Sequence, residues 1–280
     1  MKKVKIKVPA KINLTLDITG VKDGYHVIES LVASIDVFDV IRVKKRKENY
    51  ISVSFSGIPT GVSGRNSNAY LAAETFVKEF GTGGAEINIE RRIPAAAGLG
   101  GSSADIAGVL AAMGKLYRIN RDLSYIADKL GSDVSYMLKG GYAVIKDRGE
   151  IVERVPDIKN KFYLLIVAGS KGVSTSESYK GYDRIGKTYR KHTGTAINFL
   201  REDDPDNFFK LLKNDLYESS AGLLPEIKET LTNLKKFGAA VMTGSGSAVY
   251  GIYKTKKERD KVYKALFNEY GDRLIKTETL

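Results

Sequence analysis

The chain has 280 residues, 42% of them hydrophobic and 28% charged, with no low-complexity tract, so it is long enough to bury a full core and reads as ordered. With no cysteine and only His26 and His192 as imidazoles, disulfides and thiolate metal sites are excluded and zinc chemistry is disfavoured. The net charge of +12 leaves nucleic acid, acidic surfaces and phosphate-rich small molecules open as partners.

The start, MKKVKIKVPAKINL, alternates basic and apolar residues, unlike a secretory signal. No apolar run approaches the roughly 20 residues that span a bilayer. A cytoplasmic protein with no membrane partner is expected. Strands are predicted over 3–8, 11–18, 27–35, 38–44, 50–56 and 85–90 from period-2 or continuous apolar runs. The basic run KKRK at 44–47 reads either as a nucleic-acid patch or, since it falls between two of them, as the solvated end of a hairpin, the reading preferred. A helix interrupts over 67–80, with Ser67 as N-cap and Gly81 ending it. After Pro94 comes AAAGLGGSS, then ADIAGVLAAMGKLY, apolar on nearly every side, so that it should be buried.

A second helix, SYIADKLGS, leads to DVSYMLKGGYAVIKDRGE, where Gly140 and Gly141 mark a turn before a strand. KFYLLIVAGS, 161–170, is the most strand-like run. The polar stretch 181–206 reads as loop and short helix. From 207 the chain reads as helix (NFFKLLKNDLYESS), helix (PEIKETLTNLKKFG), hairpin (AAVMTGSGSAVYGIY) and helix (KKERDKVYKALFNEYG). The pattern changes near Pro156, which places a domain boundary there: 1–155 and 156–280.

Two glycine loops compete for a phosphate. GYDRIGKT, 181–188, fits the Walker A pattern, but no apolar strand leads into it and no regularly spaced apolar helix leaves it, so a surface loop is expected, with Arg184 and Lys187 near a substrate rim. PAAAGLGGSSADIAGVLAAM, 94–113, has both partners: INIERRI as a strand before it and a helix after it. Gly98, Gly100 and Gly101 permit close backbone approach, Ser102 and Ser103 add hydroxyls, and the helix directs its N-terminus at the loop. A glycine-rich turn with an ordinary serine cap reads the same on the loop alone.

This second loop resembles the phosphate loop of the GHMP kinases. PAKINLTLDITGVKDGYHVIES (9–30), LGSDVSYMLKGGYAVIKDRGE, GVSTSESY (172–179) and VMTGSGSAVYGIY (241–253) resemble further segments of the same family, in the expected order. The closest branch acts on a cytidine-diphosphate-linked methylerythritol of the non-mevalonate isoprenoid route. That branch has one more glycine in the loop and an acid or amide directly after the serines, where this chain has Ala104 and then Asp105.

The resemblance implies an α+β, two-domain fold, with an N-terminal domain resembling domain 2 of ribosomal protein S5, a ferredoxin-like C-terminal domain and an active site in the cleft between them. It implies an ATP-dependent kinase with Lys11 and Asp133 as catalytic residues, the aspartate accepting the hydroxyl proton and the lysine holding it ionised. ATP would lie on Pro94, Ala95, Ala96, Ala97, Gly98, Leu99, Gly100, Gly101, Ser102, Ser103 and Ala104, with Asn66 or Asn68 towards the adenosine and Mg2+ on Ser103 and phosphate oxygens.

Asn13 shares the strand face of Lys11 and is a substrate candidate; Asp17, on the same face, is a further candidate acid. Tyr25 and Tyr179 would stack on the two faces of the cytosine while His26 bonds its edge. Gly244, Ser245 and Gly246 would approach the phosphates or the substrate diphosphate, with a tight hairpin as the alternative. The partner is then a small molecule with a cytidine diphosphate group and no nucleic acid, and the protein a monomer or homodimer. Another GHMP small-molecule kinase and a basic RNA-binding protein are the rival readings.

Overall fold

The computed structural model describes residues 3–46, 50–59, 61–62, 64–186, 189 and 191–280. Three strands come first, β1 (Lys3–Asn13), β2 (Thr15–Lys22) and β3 (Tyr25–Lys45), followed by β4 (Ser52–Gly57), α1 (Asn68–Phe80) and β5 (Ala85–Arg91). Next are α2 (Gly101–Tyr117), α3 (Ser124–Leu130), α4 (Val134–Lys139), β6 (Ala143–Asp147), β7 (Ile151–Arg154) and β8 (Tyr163–Val167). Then come α5 (Thr175–Ile185), α6 (Thr193–Arg201), α7 (Pro205–Lys210), β9 (Lys213–Asn214), α8 (Tyr217–Leu223) and α9 (Glu226–Lys235). The remaining elements are β10 (Ala240–Met242), β11 (Val249–Tyr253), α10 (Lys256–Tyr270) and β12 (Leu274–Glu278). The chain forms two compact units, each assembled from several segments: Met1–Ala10, Val37–Ala95 and Gly100–Gly140; and Lys11–Asp36, Ala96–Leu99 and Gly141–Leu280.

In the first unit β5 runs parallel to β4, from Ser52↔Glu86 to Gly57↔Arg91, and antiparallel to the second half of β3, from Val40↔Glu90 to Lys45↔Ala85. β5 therefore lies between β3 and β4, and the hairpin expected around KKRK is not formed; Lys44 and Lys45 belong to β3, and Lys47 lies outside the described residues. The expected strands 27–35 and 38–44 are one continuous strand of 21 residues.

α1 starts as its sequence predicts, the Ser67 side chain accepting from Tyr70 N, and ends at Gly81 with φ +58°. It buries Ala69, Ala72, Ala73 and Phe76, one stripe at helical spacing. α2 buries eleven of its seventeen residues. Gly108 lets it settle onto the sheet, since a Cβ there would stand 2.5 Å from Ile41 Cδ1.

In the second unit β2 turns into β3 through Asp23 and Gly24, both at positive φ (53° and 77°), the twist a two-residue hairpin needs. The first half of β3 also pairs antiparallel with β6. A separate antiparallel sheet, ordered β10-β11-β8-β12, is covered by α9 and α10, and its core joins Leu165, Val167, Met242, Val249, Leu234 and Leu266. α10 opens with a full capping box between Thr255 and Glu258.

Two readings are corrected in this unit. GYDRI is no loop: it is the second half of α5, whose N-cap is Ser174 and whose C-cap is Gly186 at φ +66°, while Lys187 and Thr188 lie outside the described residues. α5 buries only Ser178 and Tyr182, so its apolar stripe was too thin to register. The single helix expected from 207 is instead α7, β9 and α8, because β9 pairs parallel with β2 and Asn214 turns its side chain onto other backbone.

Candidate active site

Lys11 and Asn13 occupy alternate positions at the end of β1, each 4% exposed, and Lys11 Nζ donates to Asn13 Oδ1 at 2.7 Å. The period-2 expectation that they share a face holds. The same oxygen accepts from Gly244 N at 2.9 Å, and Asn13 Nδ2 donates to Ser30 Oγ at 2.8 Å. Asn13 N donates to Thr243 Oγ1, and Tyr250 donates from its hydroxyl to Asn13 O. The Asn13 amide thus joins the proposed catalytic lysine to the turn between β10 and β11.

The glycine loop is tied to both. Leu99 O accepts from Lys11 N at 3.0 Å, and Ala97 O accepts from Ala248 N at 3.1 Å. A Cβ on Gly98 would stand 2.2 Å from Thr243 O, and one on Gly244 would stand 2.9 Å from Gly98 Cα. Both glycines have positive φ. Asn214 Nδ2 donates to Met242 O and Gly244 O, fixing the turn from behind. Ser245 Oγ lies 2.9 Å from Thr175 Oγ1 at the start of α5. The tight turn expected at 244–246 is present: it joins β10 to β11 and packs on residues 97–99 of the glycine loop.

In the first unit the loop runs from Pro94 and Ala95 on one side to α2 on the other. Gly100 is the N-cap of α2 at φ +78° and gives no side-chain cap bond, so the first-turn amides are not consumed by a cap. Ser102 Oγ accepts from Asn68 Nδ2 at 2.8 Å, placing Asn68 beside the paired serines. Asp133 stands at the N-cap position of α4, yet its side chain makes no cap bond to that helix.

Asp105, one turn into α2, points inward: it is 2% exposed, and Arg91 donates to its Oδ2 from Nε and Nη2, both at 2.9 Å. Burial pushes the Asp105 carboxyl up to about 7, with Arg91 pulling it down and Asp39 pushing it up. Burial also raises Asp39, against the amides of Arg92 and Ile93. Asp105 is thus committed to the interior and is no metal ligand.

Among the described residues no group of three His, Asp or Glu side chains is placed to hold a metal. The donor set at α2 is hydroxyl, from Ser102 and Ser103. That fits a magnesium ion, which keeps several waters and has its charge balanced by phosphate oxygens, and does not fit a metal held by protein alone.

His26 and Tyr179, expected at the edge and on one face of a base, lie against each other. His26 stacks on Tyr179, ring centroids 4.7 Å apart at 21°, and Tyr182 meets it edge-on. His26 Nε2 lies 2.6 Å from Asp183 Oδ1. One face of Tyr179 is therefore covered by His26. Tyr25 is 54% exposed, and the Arg148 guanidinium lies 3.7 Å from its ring centroid. Asp17 is not an available acid: its Oδ2 accepts from His192 N, Thr193 N and Thr193 Oγ1, which caps the start of α6 from outside that helix.

Sequence reasoning missed Asp39, Arg91, Arg148, Asp183, Asn214 and Thr243. The N-cap signal Ser174-x-x-Glu177 could have recovered Asp183 as part of a helix. The others act through distant partners and leave no local pattern.

Comparison with known proteins completes the picture. The chain matches the family models described as GHMP kinases N terminal domain, over residues 67–143, and GHMP kinases C terminal, over residues 196–273. It belongs to the GHMP kinase family and is an ATP-dependent small-molecule kinase with the two-domain α+β fold of that family.

Within the family it is similar to 4-diphosphocytidyl-2-C-methyl-D-erythritol kinase of Desulfitobacterium hafniense, 38% identical over 264 residues, covering 90% of this chain and 88% of that one. The protein of the same name from Alkaliphilus metalliredigens is 34% identical, covering 95% and 93%. A solved structure of 4-(cytidine 5'-diphospho)-2C-methyl-D-erythritol kinase superposes with a TM-score of 0.82 at 28% identity, covering 99% of each chain. L. major mevalonate kinase shares the fold, with a TM-score of 0.75 at 14% identity, covering 99% of this chain and 95% of that one.

Proposed function

We propose that the protein transfers the γ-phosphate of ATP to the 2-hydroxyl of 4-diphosphocytidyl-2-C-methyl-D-erythritol. The observation that carries the acceptor's identity is the stacked pair of His26 and Tyr179, taken with similarity along 90% or more of the chain to kinases named for that substrate. A pyrimidine needs a flat aromatic partner and an edge-directed polar group, and this pair supplies both residue types. In this reading Asp133 takes the hydroxyl proton as the new O–P bond forms and the bond from Pγ to the bridging oxygen breaks, releasing ADP.

Lys11, oriented by Asn13, offsets charge on the incoming phosphoryl group. The loop 94–104 and the start of α2 hold the phosphates through backbone amides and serine hydroxyls. Ser103 would help hold a magnesium ion, which when bound would supply positive charge against the transferring phosphate. The family's N- and C-terminal domains divide at 155/156, between the two matched segments, and the protein works in the cytoplasm as a monomer or homodimer.

The test is a kinase assay with the cytidylyl acceptor against mevalonate, homoserine and galactose. Turnover of the first is expected; no turnover of it, with turnover of another, defeats the acceptor assignment. Asp133→Asn in the same assay should lose product formation by at least about a hundredfold while binding ATP as before. Steeply salt-dependent RNA binding that is indifferent to Asp133 would favour the nucleic-acid reading instead.

A further inference from the structure

The ladder between β3 and β5 stops at Val40↔Glu90. Past it, Arg92 and Ile93 lead to Pro94 with no β3 partner, and Ile93 is buried. The buried Ile93 N–H needs an acceptor away from water, and the Arg92 N–H beside it has also lost its ladder partner. Asp39, one residue before Val40 and 1% exposed, provides it: its Oδ1 accepts from Arg92 N at 2.6 Å and from Ile93 N at 2.9 Å. A side chain thus continues the ladder for two residues after the backbone has left it.

On the other side, Arg91 ties β5 to Asp105 on α2 through two donors, and Phe55 lies 3.8 Å from its guanidinium. Asp105 Oδ1 is buried with no donor in hydrogen-bonding position, and Asp39 is its carboxyl neighbour. Two buried carboxyl groups and one guanidinium, none of them used by the phosphoryl transfer itself, connect the last residues before Pro94 to the helix that carries Ser102 and Ser103.

We propose that Asp39 is a positioning residue for nucleotide binding: by holding the Arg92 and Ile93 amides beside the Arg91–Asp105 pair, it fixes where the phosphate loop begins relative to the first turn of α2. This rests on the proposed role of residues 94–104 in binding ATP. An aspartate placed only for stability would be replaceable at the cost of stability alone. An aspartate that sets loop geometry acts on ATP and leaves the acceptor's affinity untouched.

The experiment measures binding of a non-hydrolysable ATP analogue to the full chain by calorimetry, together with KM for ATP and for the acceptor, in wild type, Asp39→Ala, Asp39→Asn and Arg91→Leu. Asp39→Ala is expected to weaken analogue binding and raise the ATP KM about tenfold, with the acceptor KM within about twofold of wild type. Asp39→Asn keeps an acceptor oxygen of the same reach and should restore most of the loss.

If Asp39→Ala does not fold, Arg91→Leu carries the test, with the same selective loss expected. A folded Asp39→Ala or Arg91→Leu that binds the analogue as wild type does overturns the proposal, as does an Asp39→Asn no better than Asp39→Ala. A wild-type chain that binds no nucleotide defeats the ATP assignment itself, an outcome distinct from either.

Discussion

Lys11 Nζ donates to Asn13 Oδ1 over 2.7 Å in a region where both side chains are almost wholly enclosed. The acceptor is a neutral amide that also receives Gly244 N, so one oxygen sets the lysine and the β10–β11 turn together. Asn13→Ala removes an acceptor from a buried ammonium and a buried amide. A loss of about 1–3 kcal/mol in stability is expected, with kcat falling by more than either KM rises. Thermal unfolding and steady-state kinetics check this, and an unchanged melting temperature with unchanged kcat would refute it.

Gly98 has φ +76°, and a methyl group there would stand 2.2 Å from Thr243 O, which is backbone and cannot swing aside. Gly98→Ala should cost about 2–4 kcal/mol or prevent folding. Gly194, inside α6 with nothing within 4 Å of its Cβ position, is the control: Gly194→Ala should change stability by less than about 0.5 kcal/mol. Equal melting temperatures for the two variants would contradict the packing argument.

Tyr179 is the platform on which His26 lies, so Tyr179→Ala removes aromatic surface and frees the His26 ring together. The acceptor KM should rise about five- to tenfold, the equivalent of roughly 1–1.5 kcal/mol of aromatic contact, with the ATP KM unmoved. Parallel KM measurements for both substrates read this directly, and a matching rise for ATP would count against a base-binding role.

Stability should depend on pH through Asp105. Its carboxyl titrates near 3.9 when unfolded and is pushed up to about 7 in the fold, chiefly by burial, with Arg91 opposing and Asp39 adding. Between those values the folded protein binds the proton that the unfolded chain has released. Its contribution is therefore complete below about pH 4 and is lost as pH rises towards 7, by at most about 1.4 kcal/mol per pH unit. Asp105→Asn, which cannot ionise, should flatten that slope in denaturant titrations between pH 5 and pH 7, a range of about two units within the window. A slope identical to wild type would show that Asp105 does not titrate there.

What the sequence displayed and what it hid follow from the range of the interactions. Lys11 and Asn13 were legible as a pair because a strand places alternate residues on one face. α2 was legible as a buried helix because Asp105 alone interrupts the apolar run ADIAGVLAAM. The caps of α1, Ser67 and Gly81, are local chemistry and were read correctly. Asp17 was misread as an acid because the amides it accepts belong to His192 and Thr193, over 170 residues away. α5 was misread because a helix resting on so few buried residues carries almost no apolar period, although its two caps were written in Ser174 and Gly186. The β12 strand went unread because its short run, LIKTE, gains its meaning only from pairing with β8.

The surroundings of Asn13 have a consequence for the order in which the protein can be made. Its partners Thr243 and Tyr250 lie 230 and 237 residues further along, and Ile18 reaches Asp215 across 197. A chain emerging from the ribosome can pair β1 and β2 with β3 early, but the bonds from Asn13 and Ile18 to the C-terminal half wait until nearly all of the second unit has been synthesised. Nascent chains halted before β11 should lack the Tyr250 bond to Asn13, the residue that accepts from Lys11, and are expected to show no phosphotransfer.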